Sequence, residues 1–180
     1  MDPLNLGFQI TYLALDKNIV AASEFTITPG SEQVRYTVER DGFLDLFKKI
    51  GASVLANACG PCIGQWKRDD IEQGESNSII SSYNRNFAKR NDGNPETLSF
   101  ISSPETVVAM AFGGSLEFNP LTDTLKTKEG KDFKFEPPQG EIFPAQGFTS
   151  KDSGYESASM SGDVVINPTS ERLAFLDAFP

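Results

Sequence analysis

Three short apolar or β-branched runs recur along the first half of the chain: Glu24–Thr28 (EFTIT), Ser53–Ala56 (SVLA) and Ser78–Tyr83 (SIISSY). Segments with helical signals follow them. A chain built this way buries its apolar faces by laying strands side by side in parallel and covering them with helices. Pro29-Gly30 stops the first run. Ser31 then caps a helix reaching about Arg40, with Glu32 in the first turn favoured by the helix dipole. A second helix, roughly Phe43–Ile50, carries Phe43, Leu44, Phe47 and Ile50 on one side and ends at Gly51. Ser103 with Pro104 at the first helical position opens a helix over Pro104–Phe112, closed by Gly113-Gly114.

The expected architecture is α/β: a three-layer α/β/α domain with a mostly parallel sheet over residues 1–114, then an extension over 115–180. In that extension Thr124–Phe135 reads as a β-hairpin turning near Glu129-Gly130. Pro137–Gly162 is rich in Pro, Gly and Ser and reads as a long irregular surface connection. Thr169–Asp177 reads as a short closing helix. Ligand sites in parallel sheets gather at loops leaving the carboxyl ends of strands. Two such loops carry chemistry here, the one holding Cys59 and Cys62 and the basic segment Asn84–Arg90.

Composition excludes several functions. The net charge of −9 argues against non-specific nucleic-acid binding and against docking on anionic lipid. No run of about 18 apolar residues is present to span a membrane. The N-terminus lacks the charged stretch and apolar core of a signal peptide; the expectation of an intracellular setting comes instead from the two closely spaced cysteines. There is no histidine, so acid–base work near neutral pH has to come from elsewhere.

The two cysteines stand three apart, a spacing unlike the disulfide framework of small secreted domains. Cys59-Gly-Pro-Cys62 admits three readings: incidental cysteines, a thioredoxin-like redox pair, or two ligands of a metal or cluster. A redox pair sits at a helix start, which acidifies the nucleophilic thiol, and Gly64 discourages an immediate helix. The glycines around the pair suit close backbone approach to a polar ligand. Zinc needs four ligands, and neither a second cysteine pair nor a histidine supplies them. An iron–sulfur cluster also needs at least one more cysteine.

Three longer strings carry a resemblance: Leu55–Trp66 (LANACGPCIGQW), Phe25–Gln33 (FTITPGSEQ) and Ser82–Asp92 (SYNRNFAKRND). In this order they resemble the mitochondrial-type branch of the aconitase family. Iron-regulatory members carry a different sequence between the cysteines. The resemblance runs from about Ala21 to the C-terminus, weakens after Gly114, and corresponds to the family's third domain and the start of the linker to its fourth. Met110–Gly114 (MAFGG) departs from the family's usual helix end, a change expected to affect only local packing.

The resemblance implies a 4Fe–4S cluster held by three cysteines, of which Cys59 and Cys62 match two. The third lies in a Cys-Thr-Asn segment that this sequence does not contain, so the cluster is expected in the parent protein and absent from the isolated chain. An open iron would act as a Lewis acid on the substrate hydroxyl and carboxylate. Arg85 and Arg90 match arginines that bind substrate carboxylates, a task suited to the planar guanidinium fork. Asn84 matches a residue near cluster and substrate. No catalytic residue is expected within the chain, because the family's acids and bases lie in its first and fourth domains. The expected activity is that of an aconitate hydratase, isomerising citrate to isocitrate through cis-aconitate, with the isolated chain inactive. Expected partners are those tricarboxylates and the remaining aconitase domains, in a bacterial cytoplasm or a mitochondrial matrix. The rivals are a dehydratase of methylcitrate or homocitrate type and a thioredoxin-like protein using Cys59 and Cys62. Against these stand plainer roles: Arg85 and Arg90 as surface or ion-paired charges, Trp66 as packing, Ser31 as a cap, and Asp41 and Asp92 as surface or capping groups.

Overall fold

A computed structural model of the chain describes residues 3–58, 60–82, 87–139, 144–149, 157–158 and 169. In chain order the elements are α1 (Pro3–Asp16), β1 (Thr26–Ile27), α2 (Glu32–Arg40), α3 (Phe43–Lys49), β2 (Ser53–Val54), a 3-10 turn (Pro61–Ile63), β3 (Asn77–Ser81), β4 (Thr97–Ile101), α4 (Pro104–Gly113), β5 (Leu125–Lys126) and β6 (Asp132–Phe133).

The α/β class and the parallel pairing both hold. β1 pairs with β2 in parallel, and α2 and α3 form the crossover between them. β3 pairs with β4 in parallel, from Asn77 opposite Thr97 to Ser81 opposite Ile101. The two pairs are separate two-stranded pieces, not one continuous sheet. β5 and β6 form the expected antiparallel hairpin, turning through Gly130 at φ +80°.

Local chemistry explains the helix borders. Ser31 has extended backbone, and its hydroxyl accepts from the Val34 N–H at 3.1 Å. α4 begins at Pro104 and is stopped by Gly114 in the left-handed region, whose N–H donates to the Met110 carbonyl at 2.8 Å. Ser103 does not cap that helix through its side chain; its hydroxyl lies 3.0 Å from that of Thr106.

Two elements escape the strand and helix signals of the sequence. α1 turns Ile10, Thr11 and Ala14 inward, an i, i+1, i+4 face that is almost wholly buried. Asn18, at φ +55°, ends the helix in a Schellman arrangement. The Ile19 N–H donates to Ala14 and the Asn18 N–H to Leu15. β4 lies at the edge of its pair and leaves Leu98, Phe100 and Ile101 exposed.

α1 packs on α4 and α3. The core joins Phe25, Ile27, Phe47, Ile50, Val108 and Phe112, among others. Phe25 and Phe47 meet edge to face, with ring centroids 6.1 Å apart. The segment after Gly114 also contributes: Phe118 and Phe135 are buried in this same core, and Phe135 lies 5.8 Å from Phe112. Part of the expected surface connection is docked too. Arg40 donates to the Thr149 hydroxyl at 2.6 Å and to the Gly147 carbonyl at 2.9 Å, and the Thr149 N–H donates to Thr37 Oγ1 at 2.9 Å. The expected helix over Thr169–Asp177 and most of 150–162 lie outside the described residues.

Candidate functional site

β2 leads into the cysteine loop. After Ala58 the chain reaches Gly60 and the single 3-10 turn Pro61–Ile63, which carries Cys62. The Cys62 thiol is free and half-buried. Gly64, at φ +80°, closes the turn, and the chain continues without helix through Arg68. Three residues of 3-10 helix cannot sum the dipole that a redox cysteine pair draws from a long helix. The turn therefore disfavours the thioredoxin-like arrangement. Cys59, Asn84 and Arg85 lie outside the described residues.

The turn after β3 carries Arg90, which is completely buried. Its Nη2 donates to Ser81 Oγ at 2.6 Å, at the carboxyl end of β3. Arg90 is thus not a solvated surface charge. Asn91, also buried, donates through Nδ2 to Ser99 Oγ on β4 at 3.0 Å.

The cysteine turn and the Arg90 turn pack backbone to backbone. The Trp66 N–H donates to the Asn91 carbonyl at 3.1 Å. A Cβ on Gly64 would stand 2.5 Å from the Lys89 carbonyl oxygen and 3.5 Å from that of Arg90. Of the five expected site residues, Cys62 and Arg90 are described, and the structure seats their two turns against each other.

A polar network that the sequence did not disclose fixes the Arg90 turn from behind. Asp92 is not a surface group: its side chain is 4% exposed. Its Oδ2 accepts from Thr97 Oγ1 at 2.8 Å, and Arg68 Nη1 approaches to 3.5 Å. Its Oδ1 accepts from the Asn94 N–H at 3.0 Å, which is the capping role expected of it. Arg68 also donates to Asn77 at 2.8 Å and to Asp70 at 2.8 Å, and its guanidinium lies 5.3 Å from the Trp66 ring centroid. The hydrogen bond from Arg68 holds the Asp70 carboxyl below the usual carboxylate range. Nothing in the run Lys67-Arg-Asp-Asp70 marks Arg68 as the partner of Asp92, 24 residues away. Asp41 behaves as expected, pairing on the surface with Arg40 at 2.8 Å.

A cavity of about 450 Å³ opens between the edges of β1 and β3, with Phe25, Thr28, Ser81, Asn91, Trp66 and Arg68 on its walls. It reaches Pro61 of the cysteine turn.

The donor chemistry of the turn fits an iron–sulfur group in part. Cys62 offers a soft sulfur donor, and among the described residues a Cβ on Gly60 would meet nothing within 4 Å. Among the described residues no group of three Cys, His, Asp or Glu side chains gathers to hold a metal ion. A complete ligand set needs donors beyond them.

With this geometry in place, the comparisons with known proteins are direct. The model of the Aconitase family (aconitate hydratase) matches residues 8–114. A protein named mitochondrial aconitate hydratase from Schizosaccharomyces pombe is 58% identical over 99% of this chain, covering 23% of its own length. A probable mitochondrial aconitate hydratase from Dictyostelium discoideum is 52% identical over 99% of this chain and 24% of its own. The mitochondrial aconitate hydratase of Saccharomyces cerevisiae is 54% identical over 86% of this chain and 20% of its own. The matched stretch contains both the cysteine turn and the Arg90 turn. The chain belongs to the aconitase family. It spans about a quarter of the length of the relatives it matches.

Proposed function

We propose that this chain forms the cluster-facing and carboxylate-binding part of an aconitate hydratase, the hydro-lyase that interconverts citrate and isocitrate through cis-aconitate. The observation that carries this reading is the packing of the Cys62 turn on the Arg90 turn, through Gly64 and through Trp66 N–H to Asn91 carbonyl, in a chain of the aconitase family. Residues 1–114 are the α/β domain of this reading, and 115–180 its extension toward the remaining domains.

Cys59 and Cys62 would hold two irons of a 4Fe–4S cluster, with the third cysteine supplied from outside these 180 residues. When bound, that cluster supplies an open, Lewis-acidic iron. The chain's own residues bind and orient. Arg85 and Arg90 each grip a substrate carboxylate through charge-assisted hydrogen bonds, and Asn84 sits beside them as a neutral donor and acceptor. Ser81 holds Nη2 and so sets the plane of the fork. Proton transfer belongs to residues outside this chain, which has no histidine. The names of the relatives favour a mitochondrial matrix setting.

The test has two arms. The 180-residue chain, incubated with iron and sulfide, is expected to form no cis-aconitate from citrate; turnover by the chain alone would overturn the division of labour. In the longer polypeptide, Cys62→Ser is expected to abolish cluster absorbance, and Arg90→Lys to raise KM for citrate while leaving that absorbance intact. Full cluster content in the Cys62→Ser variant refutes the ligand assignment.

A further inference from the structure

We infer that Gly64, backed by the Arg68–Asp92 pair, is the positioning device that sets the cysteine turn at a fixed distance from Arg90; this rests on the site reading above. Gly64 meets two separate demands. Its φ of +80° lies where side chains are disfavoured, and its Cα faces the Lys89 carbonyl so closely that a Cβ would stand 2.5 Å from the oxygen. The first demand is a turn requirement that Asn also satisfies. The second is a close approach that glycine alone allows.

The far side of the contact is equally constrained. Lys89 holds φ +63° without being glycine, a conformation that persists only where its surroundings over-determine it. The Gly93 N–H donates to the Lys89 carbonyl at 3.2 Å, so the oxygen that meets Gly64 is also the one that closes the Arg90 turn. A Cβ on Gly93, at φ +75°, would stand 3.5 Å from the Gly64 carbonyl. Asp92 then ties the turn to Thr97 of β4 and to Arg68, on the strand of chain that leaves the cysteine turn. The chain before Arg68 and the chain after Arg90 are therefore latched at both ends of one contact. A side chain at Gly64 has to push the Lys89 carbonyl away, and Arg90 moves with it. Gly64 and Arg68 touch no reacting atom; they act through Arg90 and the cysteine turn.

The experiment compares Gly64→Ala, Gly64→Asn and Asp92→Asn with Arg90→Lys in the intact, cluster-loaded polypeptide. KM and kcat for citrate and cluster absorbance are measured there, and fluorescence of Trp66, the single tryptophan, in the 180-residue chain. Both Gly64 variants are expected to raise KM on the order of tenfold, because displacement of a positioning group by under an ångström has effects of this size. Cluster absorbance stays constant and Trp66 emission shifts. Asp92→Asn removes the charge facing Arg68 and keeps an acceptor oxygen for only one of Thr97 Oγ1 and the Asn94 N–H; it is expected to raise KM by less, and it carries the test if the Gly64 variants do not fold. Wild-type KM and emission in Gly64→Asn would show that only the turn matters and overturn the inference. Unchanged KM in Arg90→Lys would refute the site reading instead, and Trp66 emission would then still decide whether the two turns are latched.

Discussion

Arg68 Nη1 lies 3.5 Å from Asp92 Oδ2, with the two side chains only 12% and 4% exposed. A pair this enclosed is costly to break from one side, because the remaining charge stays buried without its counterion. Arg68→Met is therefore expected to lower the unfolding free energy by about 2–4 kcal/mol, read from urea unfolding of the chain. Adding Asp92→Asn to that variant removes the stranded charge and should restore part of the loss. Equal stability of Arg68→Met and the parent chain would show that the pair is solvated in effect.

Gly113 carries the ring of Phe118 against its Cα, so closely that a Cβ there would overlap the ring. Gly113→Ala is expected to cost about 1–3 kcal/mol by overpacking, despite the better helix propensity of alanine. In a Phe118→Ala background the same change loses its steric penalty. It should then be neutral or stabilising by about 0.5–1 kcal/mol, a reversal of sign that a double-mutant cycle detects.

Asp70 provides the pH dependence. Its carboxyl is held below its ordinary 3.8 by the hydrogen bond from Arg68. Asp123, held by the Asn119 N–H, and Asp132, held by Lys126, are displaced in the same direction. A depressed folded pKa adds stability above the unfolded pKa and loses it as pH falls through the folded value. Stability should therefore be flat near neutrality and decline as pH drops below about 3.8. Asp70→Asn should flatten that decline, as followed by urea midpoints across the acid range.

Ser31 is the cap of α2, with its hydroxyl on the Val34 N–H. Ser31→Ala should cost about 1 kcal/mol, and Ser31→Asp should restore it because a carboxylate accepts the same N–H and complements the helix dipole. Urea midpoints of the three proteins measure both. No loss in Ser31→Ala would mean that water replaces the cap.

What could be read along the chain was what neighbouring residues decide among themselves. The Ser31 cap, the Gly114 stop, the Gly130 hairpin turn and the parallel strands of EFTIT and SVLA all follow from chemistry within a few residues. The spacing of two cysteines around Gly-Pro is local too, and marks a candidate site by residue type alone. α1 was not legible because its buried face, Ile10, Thr11 and Ala14, mixes a polar residue with small and large apolar ones. β4 was not, because Leu98, Phe100 and Ile101 show no buried face to alternate with.

Folding alone decided the rest. It buried Asp92 against Arg68 from 24 residues away, enclosed Arg90 near the end of β3, and drew Phe118 and Phe135 into one core with Phe25, Phe47 and Phe112. It also set the Lys89 carbonyl on Gly64, turning an ordinary helix-breaking glycine into a spacer. Side-chain type travels with the sequence, but burial and close approach are properties of pairs, and these pairs meet only once the strands and helices have packed.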